Sequence, residues 1–127
     1  MTGGEGTMKL GFIGCGNMAQ AMITGILKQN VVSPDELIVS NPHEEKTAKL
    51  KEQFEILTTT DNKKTAKEAE IVVLAVKPQV YPEVIKEIRD EVSTEQIIVT
   101  IAAGVSMAAA ERQFGKEMKI VRVMPNT

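Results

Sequence analysis

Gly14, Cys15 and Gly16 sit between an apolar run and a helix-like one in "LGFIGCGNMAQAM", residues 10–22. Glycines at this spacing suit one chemistry, the holding of a phosphate. Gly14 can take a tight turn, and Gly16 lets the backbone approach a pyrophosphate. Ala19 fills the third place of a G-x-G-x-x-G/A pattern, where a small side chain lets helix and strand pack closely. Asn17 and Met18 then open a helix whose unpaired amides face the negative charge. The competing reading is a plain strand-to-helix turn. Cys15 has no cysteine partner and the only histidine of the chain is His43. A nucleophile or redox centre lacks its activating group, so the thiol reads as a small residue tolerated in the loop.

The next position with chemical meaning is the end of the second strand, where dinucleotide sites choose between a ribose hydroxyl and a ribose phosphate. Sites for NAD place an Asp or Glu there, about 20 residues after the glycines. Here the run is "VSNPHEE", and Ser40 and Asn41 occupy the place. Without a carboxylate nothing repels a 2′-phosphate, which favours NADP (NADPH) and leaves NAD possible. The absent carboxylate also argues against an S-adenosylmethionine enzyme. No Arg grips a phosphate either, Lys46 stands a turn further on, and Asn41 has a sufficient structural role as a helix cap.

These residues need elements to carry them, and the apolar periodicity switches repeatedly between strand and helix character. Strands are expected at 9–14, 36–40, 54–57, 71–76, 97–102 and 119–123. Helices are expected at 17–29, 43–53, 61–69, 82–92 and 106–114. The first helix presents Met18, Ala21, Met22, Gly25 and Ile26 on one face. Asn41 is the N-cap of the second, with Pro42 at its first position. Val84, Ile85 and Ile88 face inward from the fourth. "IVVLAV", residues 71–76, is a continuous apolar run of the kind buried on both faces of a parallel sheet. Strands alternating with helices at this spacing imply right-handed crossovers. The expected fold is α/β: a Rossmann-type doubly wound parallel sheet in three αβα layers, as a single domain. Its remaining strand ends, "AVKPQ" (75–79) and "TIAAGVS" (100–106), lie where the far end of a bound dinucleotide would lie.

Composition bounds the rest. The 127 residues are 43% hydrophobic and 25% charged, with net charge -2. That suits a globular domain and argues against nucleic acid as main partner, which needs a basic face. One cysteine excludes an internal disulfide framework and a multi-cysteine metal site, so no metal is expected, and it fits a reducing, cytoplasmic setting. No apolar run approaches the roughly 20 residues of a membrane helix. Residues 1–7, "MTGGEGT", read as a disordered leader, residues 8–127 as the NAD(P)-binding domain, and the stop at "MPNT" as a cut.

"FIGCGNMA", "DNKKTAKEAEIVVLAVKPQ", "TIAAGVS" and "RVMPNT", in this order, resemble the N-terminal half of pyrroline-5-carboxylate reductases, over about residues 9–127. The resemblance implies hydride transfer from NAD(P)H to the C=N bond of 1-pyrroline-5-carboxylate, giving L-proline. It further implies that residues 14–18 hold the pyrophosphate, that Ser40 and Asn41 lie by the adenosine, and that Asn62 contacts the cofactor. Ala75, Val76, Lys77 and Pro78 would line the nicotinamide ribose, with Ala102, Ala103 and Gly104 near the ring. Met124, Pro125 and Asn126 would border the substrate. For Lys77 the plain alternative is a solvated side chain. Many members carry Arg just after the second strand, where this chain has Pro42 and His43. The family continues into a helical half that dimerises, binds substrate and supplies the proton-delivering hydroxyl; that half is absent here, so no residue of this chain is assigned a catalytic role and the chain alone is expected to be inactive. Two alternatives stand beside this reading. One is another two-domain NADP oxidoreductase, of β-hydroxyacid dehydrogenase or deazaflavin-dependent type. The other is a non-catalytic, reductase-like nucleotide sensor.

Overall fold

The computed structural model describes residues 8–101 and 106–123. The expectations for residues 1–7, for Ala102, Ala103 and Gly104, and for Met124, Pro125 and Asn126 lie outside the described residues. Six strands, β1 (Met8–Ile13), β2 (Leu37–Ser40), β3 (Leu57–Thr59), β4 (Ala69–Leu74), β5 (Ile97–Thr100) and β6 (Lys119–Arg122), form one all-parallel sheet in the order β3-β2-β1-β4-β5-β6. Between them run α1 (Asn17–Lys28), α2 (Glu44–Phe54), α3 (Asn62–Glu68), α4 (Tyr81–Ile88) and α5 (Met107–Phe114). The expected three-layer, doubly wound fold is therefore what forms.

Strand alternation divides the core in two. Leu37 and Val39 of β2, with Phe12 and Val73, pack against Ala19 and Ile23 of α1 and Leu50 of α2. Ile38, Ile13, Val72, Leu74 and Ile98 pack against α3, α4 and α5 through Ala66, Val84, Ile85, Ile88, Ala110 and Phe114. Val84, Ile85 and Ile88 thus face inward as the α4 pattern implies. Ser40, next in the alternation after Ile38, is directed to the α3 and α4 side and is fully buried.

Several element boundaries depart from the sequence reading. On α1 the buried residues are Ala19 and Ile23; of the expected apolar face Met22 and Ile26 are half-buried and pack against the core, while Met18, Ala21 and Gly25 are exposed, so only part of that face turns inward. Asn41 does not cap α2. Its backbone N–H still donates to Thr59 O (3.2 Å), extending the sheet ladder, and its Oδ1 accepts from the His43 N–H (2.9 Å). His43 is extended, so that bond closes a turn and the helix starts at Glu44. Phe54 belongs to α2 rather than to a third strand. It continues the Thr47 and Leu50 spacing, and Glu55, in the left-handed region at φ 58°, ends the helix there. At α3 the cap is Asp61, whose carboxylate accepts from the Lys63 N–H, and Asn62 is the first helical residue.

One glycine inside β1 decides how closely a helix approaches the sheet. A Cβ on Gly11 would lie 2.7 Å from Thr65 Cγ2 and 2.8 Å from Ala69 Cβ. α3 therefore rests directly on the β1 backbone. This close approach brings the start of α3 to the rim where β1 and β2 end.

Candidate functional site

The sheet order reverses between β1 and β4, since β1 connects outward to β2 while β4 continues in the other direction. At such a switch point the loops leaving two neighbouring strands part company and open a crevice at the carboxyl ends. A cleft of about 520 Å³ lies there. Its lining includes the turn of Gly14, Cys15 and Gly16 and, packed beside Gly14, Ala75 and Val76 with Lys77 after β4. Asn41, Pro42, His43 and Lys46 come from the β2 end, Asn62 from α3, and Glu83 and Glu87 from α4.

The two glycines do different things. Gly14 has φ 104°, and a Cβ there would meet Ala75 O at 2.7 Å, so the residue is required by the fold itself. Its N–H donates to Ser40 O (2.9 Å), and the Ala75 N–H donates to Ile13 O (2.8 Å), tying the three strand ends together. Gly16 has an ordinary extended backbone and a Cβ there would find nothing within 4 Å. Protein packing does not call for glycine at this position. It is the N-cap of α1, with no side chain capping the helix and no acidic residue in the first turn. The amides of Asn17, Met18 and Ala19 belong to the first turn, where α1 has no preceding carbonyl to accept them, and the positive end of the helix dipole adds to their pull on an anion. Ala19 is 1% exposed in the core beneath them, as the close packing of its motif requires.

Around this turn the geometry is braced. Gln20 Nε2 donates to the Cys15 carbonyl oxygen (2.9 Å), and the buried Tyr81 hydroxyl donates to the Leu74 carbonyl oxygen, fixing the end of β4 just before Ala75. Cys15 is buried, and burial pushes its thiol above the usual range although Lys46 pulls the other way. A protonated thiol is a poor nucleophile, in agreement with an inert loop residue.

Of the residues expected at the site, Gly14, Cys15, Gly16, Asn41, Asn62, Ala75, Val76 and Lys77 meet at this one cleft. Asn17 lines a smaller hollow of about 340 Å³ beside it, with Lys46 and Lys49. Met18 is exposed on α1 and lines neither. Ser40 is not among the residues lining the cleft. The β2 alternation turns it inward, and its hydroxyl donates to Asn62 Oδ1 (2.8 Å) instead of reaching the cleft. Pro78 begins a short 3-10 turn behind Lys77 and is not part of the wall. Sequence reasoning missed Glu83 and Glu87, because charged positions on α4 carry no mark distinguishing the cleft from solvent. Gln20 left no signal either. Among the described residues no His, Cys, Asp or Glu cluster could hold a metal, and no helix is long and apolar enough to cross a membrane.

Comparison with known proteins agrees with this geometry. Residues 9–104 match the family model described as NADP oxidoreductase, coenzyme F420-dependent. The chain is similar to the pyrroline-5-carboxylate reductase of Escherichia coli, with 39% identity over 119 residues, 94% of this chain and 44% of that protein. The solved pyrroline-5-carboxylate reductase of Coxiella burnetii superposes with a TM-score of 0.89 at 38% identity, over 95% of this chain and 45% of its own. That of Plasmodium falciparum, solved with NADP bound, gives 0.81 at 30%, over 97% and 44%. The chain spans less than half the length of each of these relatives. With a parallel sheet, a glycine turn at its switch point and a family match across most of its length, this chain belongs to the family of NADP oxidoreductases described as coenzyme F420-dependent.

Proposed function

We propose that this chain is the cofactor-binding domain of a pyrroline-5-carboxylate reductase and that it takes NADP(H) in preference to NAD(H). The observation that carries the reading is Gly16. A residue without a side chain stands at an uncapped helix start where packing would admit a Cβ, and a phosphate lying against the backbone would not. When bound, the dinucleotide supplies the hydride for the C=N bond of 1-pyrroline-5-carboxylate. The protein's share is orientation. The 14–16 turn receives the pyrophosphate, Asn41 and Asn62 flank the adenosine, and Ala75, Val76 and Lys77 shape the wall toward the nicotinamide.

The preference for NADP(H) is supported by the β2 end. Ser40 is buried, the Asn41 side-chain oxygen is committed to the His43 N–H, and His43 and Lys46 stand on the same wall. No carboxylate from β2 opposes a 2′-phosphate. The single buried thiol supports a cytoplasmic setting. The identity of 33–39% to curated pyrroline-5-carboxylate reductases favours imine reduction over a deazaflavin-linked reaction.

Isothermal titration of the chain with NADPH, NADH and S-adenosylmethionine tests the cofactor assignment: binding of NADPH first, NADH more weakly and S-adenosylmethionine not at all is expected. Failure to bind either nicotinamide overturns it. The same domain within a complete protein should reduce 1-pyrroline-5-carboxylate, whereas the 127-residue chain alone should do so far below an ordinary enzymatic rate. Proline formation at such a rate by the chain alone would refute the view that a second half is needed.

A further inference from the structure

Three side chains from three elements form a hydrogen-bonded series beside the cleft. The Ser40 hydroxyl lies 2.8 Å from Asn62 Oδ1, and Asn62 Nδ2 lies 2.9 Å from Glu87 Oε1. Chemistry fixes its polarity. An ionised carboxylate only accepts, so the amide nitrogen must face Glu87. The amide oxygen then faces Ser40, whose hydroxyl must donate. Because Ser40 is fully buried, the oxygen end of the amide is held from within the protein, while the nitrogen end meets Glu87 at the exposed side.

Position adds a direction to this polarity. Asn62 and Glu87 line the cleft and Ser40 does not, so the amide nitrogen points to a cleft residue and the amide oxygen to a buried one. That nitrogen carries two hydrogens and Glu87 takes one. We propose that Ser40 and Glu87 are positioning residues that hold the Asn62 amide nitrogen toward the cleft, so that Asn62 donates its second hydrogen to an acceptor oxygen on the adenosine ribose of the bound dinucleotide. This rests on the dinucleotide reading above. An amide is nearly symmetric in shape, and without its two fixed partners it could turn its oxygen to the ligand, placing two acceptors against each other. Ser40 therefore acts on the cofactor through Asn62 without touching it. The Glu87 carboxylate has a second, opposing effect, since a negative charge in the cleft disfavours an anionic ligand.

Double-mutant cycles separate these effects, read as dissociation constants for NADPH and NADH by titration of the 127-residue chain and its variants S40A, E87Q, N62A, S40A/N62A and E87Q/N62A. Glutamine at 87 can accept or donate, so E87Q keeps a partner for Asn62 but removes the polarity; being exposed, the position tolerates the change even if S40A proves hard to fold. S40A should weaken NADPH binding about threefold to tenfold when Asn62 is present and by less than about 1.5-fold in the N62A background. In the N62A background E87Q should tighten binding through lost charge, and with Asn62 present it should be about threefold worse than that charge effect alone. A purely structural role would move binding and the thermal midpoint together in both backgrounds. Equal effects of S40A, and of E87Q, with and without Asn62 overturn the proposal while leaving the dinucleotide reading intact. Failure of the unaltered chain to bind either nucleotide overturns both.

Discussion

Gly14 and Ala75 meet across the junction of β1 and β4: a Cβ built on Gly14 would lie 2.7 Å from the Ala75 carbonyl oxygen and 2.8 Å from its carbonyl carbon. Backbone cannot yield as a flexible side chain would, and φ 104° is unfavourable for any L side chain. G14A is expected to lower stability by about 2–4 kcal/mol in denaturant unfolding, from strain and overlap together. G16A makes the opposite case. No atom lies within 4 Å of its would-be Cβ, so stability should change by less than about 1 kcal/mol, the cost of alanine at an N-cap. NADPH affinity should nevertheless fall at least about tenfold, since the methyl group displaces a phosphate from the amides. Unfolding curves and titrations on the two variants separate the turn from the cradle.

Lys46 shares a wall with Asn41 and His43. If its ammonium serves the 2′-phosphate, K46A should weaken NADPH binding about threefold to tenfold at low salt, a modest figure because the side chain is exposed. NADH, which lacks that phosphate, should change by less than about twofold. The NADPH difference should shrink as salt is raised. Equal losses for both nucleotides would assign Lys46 to the pyrophosphate instead.

Cys15 ties stability to alkaline pH. Its folded pKa is raised by burial, so the unfolded thiol ionises first as pH rises. Stability is then full below the ordinary thiol range and declines as pH climbs through that range toward the folded value. Chemical denaturation from pH 7 to about 10 should show this decline, and C15A should show a flatter profile above about pH 8.5. Alkylation of the native thiol at neutral pH should be much slower than that of the unfolded chain.

Gly11 carries the weight of α3, with Thr65 Cγ2 and Ala69 Cβ both closer than a Cβ would allow. G11A should cost about 1–3 kcal/mol through overpacking. Because α3 also carries Asn62, the variant should lose NADPH affinity in proportion to how far the helix is lifted. Thermal unfolding and titration of the same preparation check both parts.

What could be read from the sequence follows from how unambiguous each local pattern is. The run "IVVLAV", residues 71–76, announces β4, although the strand itself starts and ends two residues earlier, and the glycine turn is marked by spacing that few other structures need. β2 is a different case. "LIVS" is buried throughout, so nothing in it tells which residues face α1 and which face α3, and the contact of the Ser40 hydroxyl with Asn62 is visible only in the folded sheet. The α1 ridge is legible only in part for a related reason: Met22 and Ile26 do pack against the core, but Met18 and Ala21 are as apolar as Ile23 and Ala19, and only the docked sheet chooses which of them turn inward. Asn41 followed by proline is a sound local signal for a cap, but the Thr59 carbonyl, brought alongside by the sheet, holds the Asn41 backbone in the ladder. Glu87 could not have been found, since its partner Asn62 is 25 positions away and is reached only after the crossover closes.

The pairing of β1 with β4 also governs when the cleft can exist. Met8 stands opposite Ala69, 61 positions along the chain, so this pair closes a long loop before any local reward is collected. The β1, β2 and β3 segment can assemble over shorter distances, but by itself it presents only one side of the crevice. Gly14 acquires its neighbour Ala75 at the moment the two halves join. On the cofactor assignment proposed above, the β1 and β2 half offers a dinucleotide only part of its site, so the nucleotide would bind the joined sheet more tightly than either half, and at a concentration of 100 times its dissociation constant it would hold the seam closed by at most about 2.7 kcal/mol. Supply of the nucleotide would then slow the opening of the sheet along β1 and β4, making the ligand a clasp on the fold.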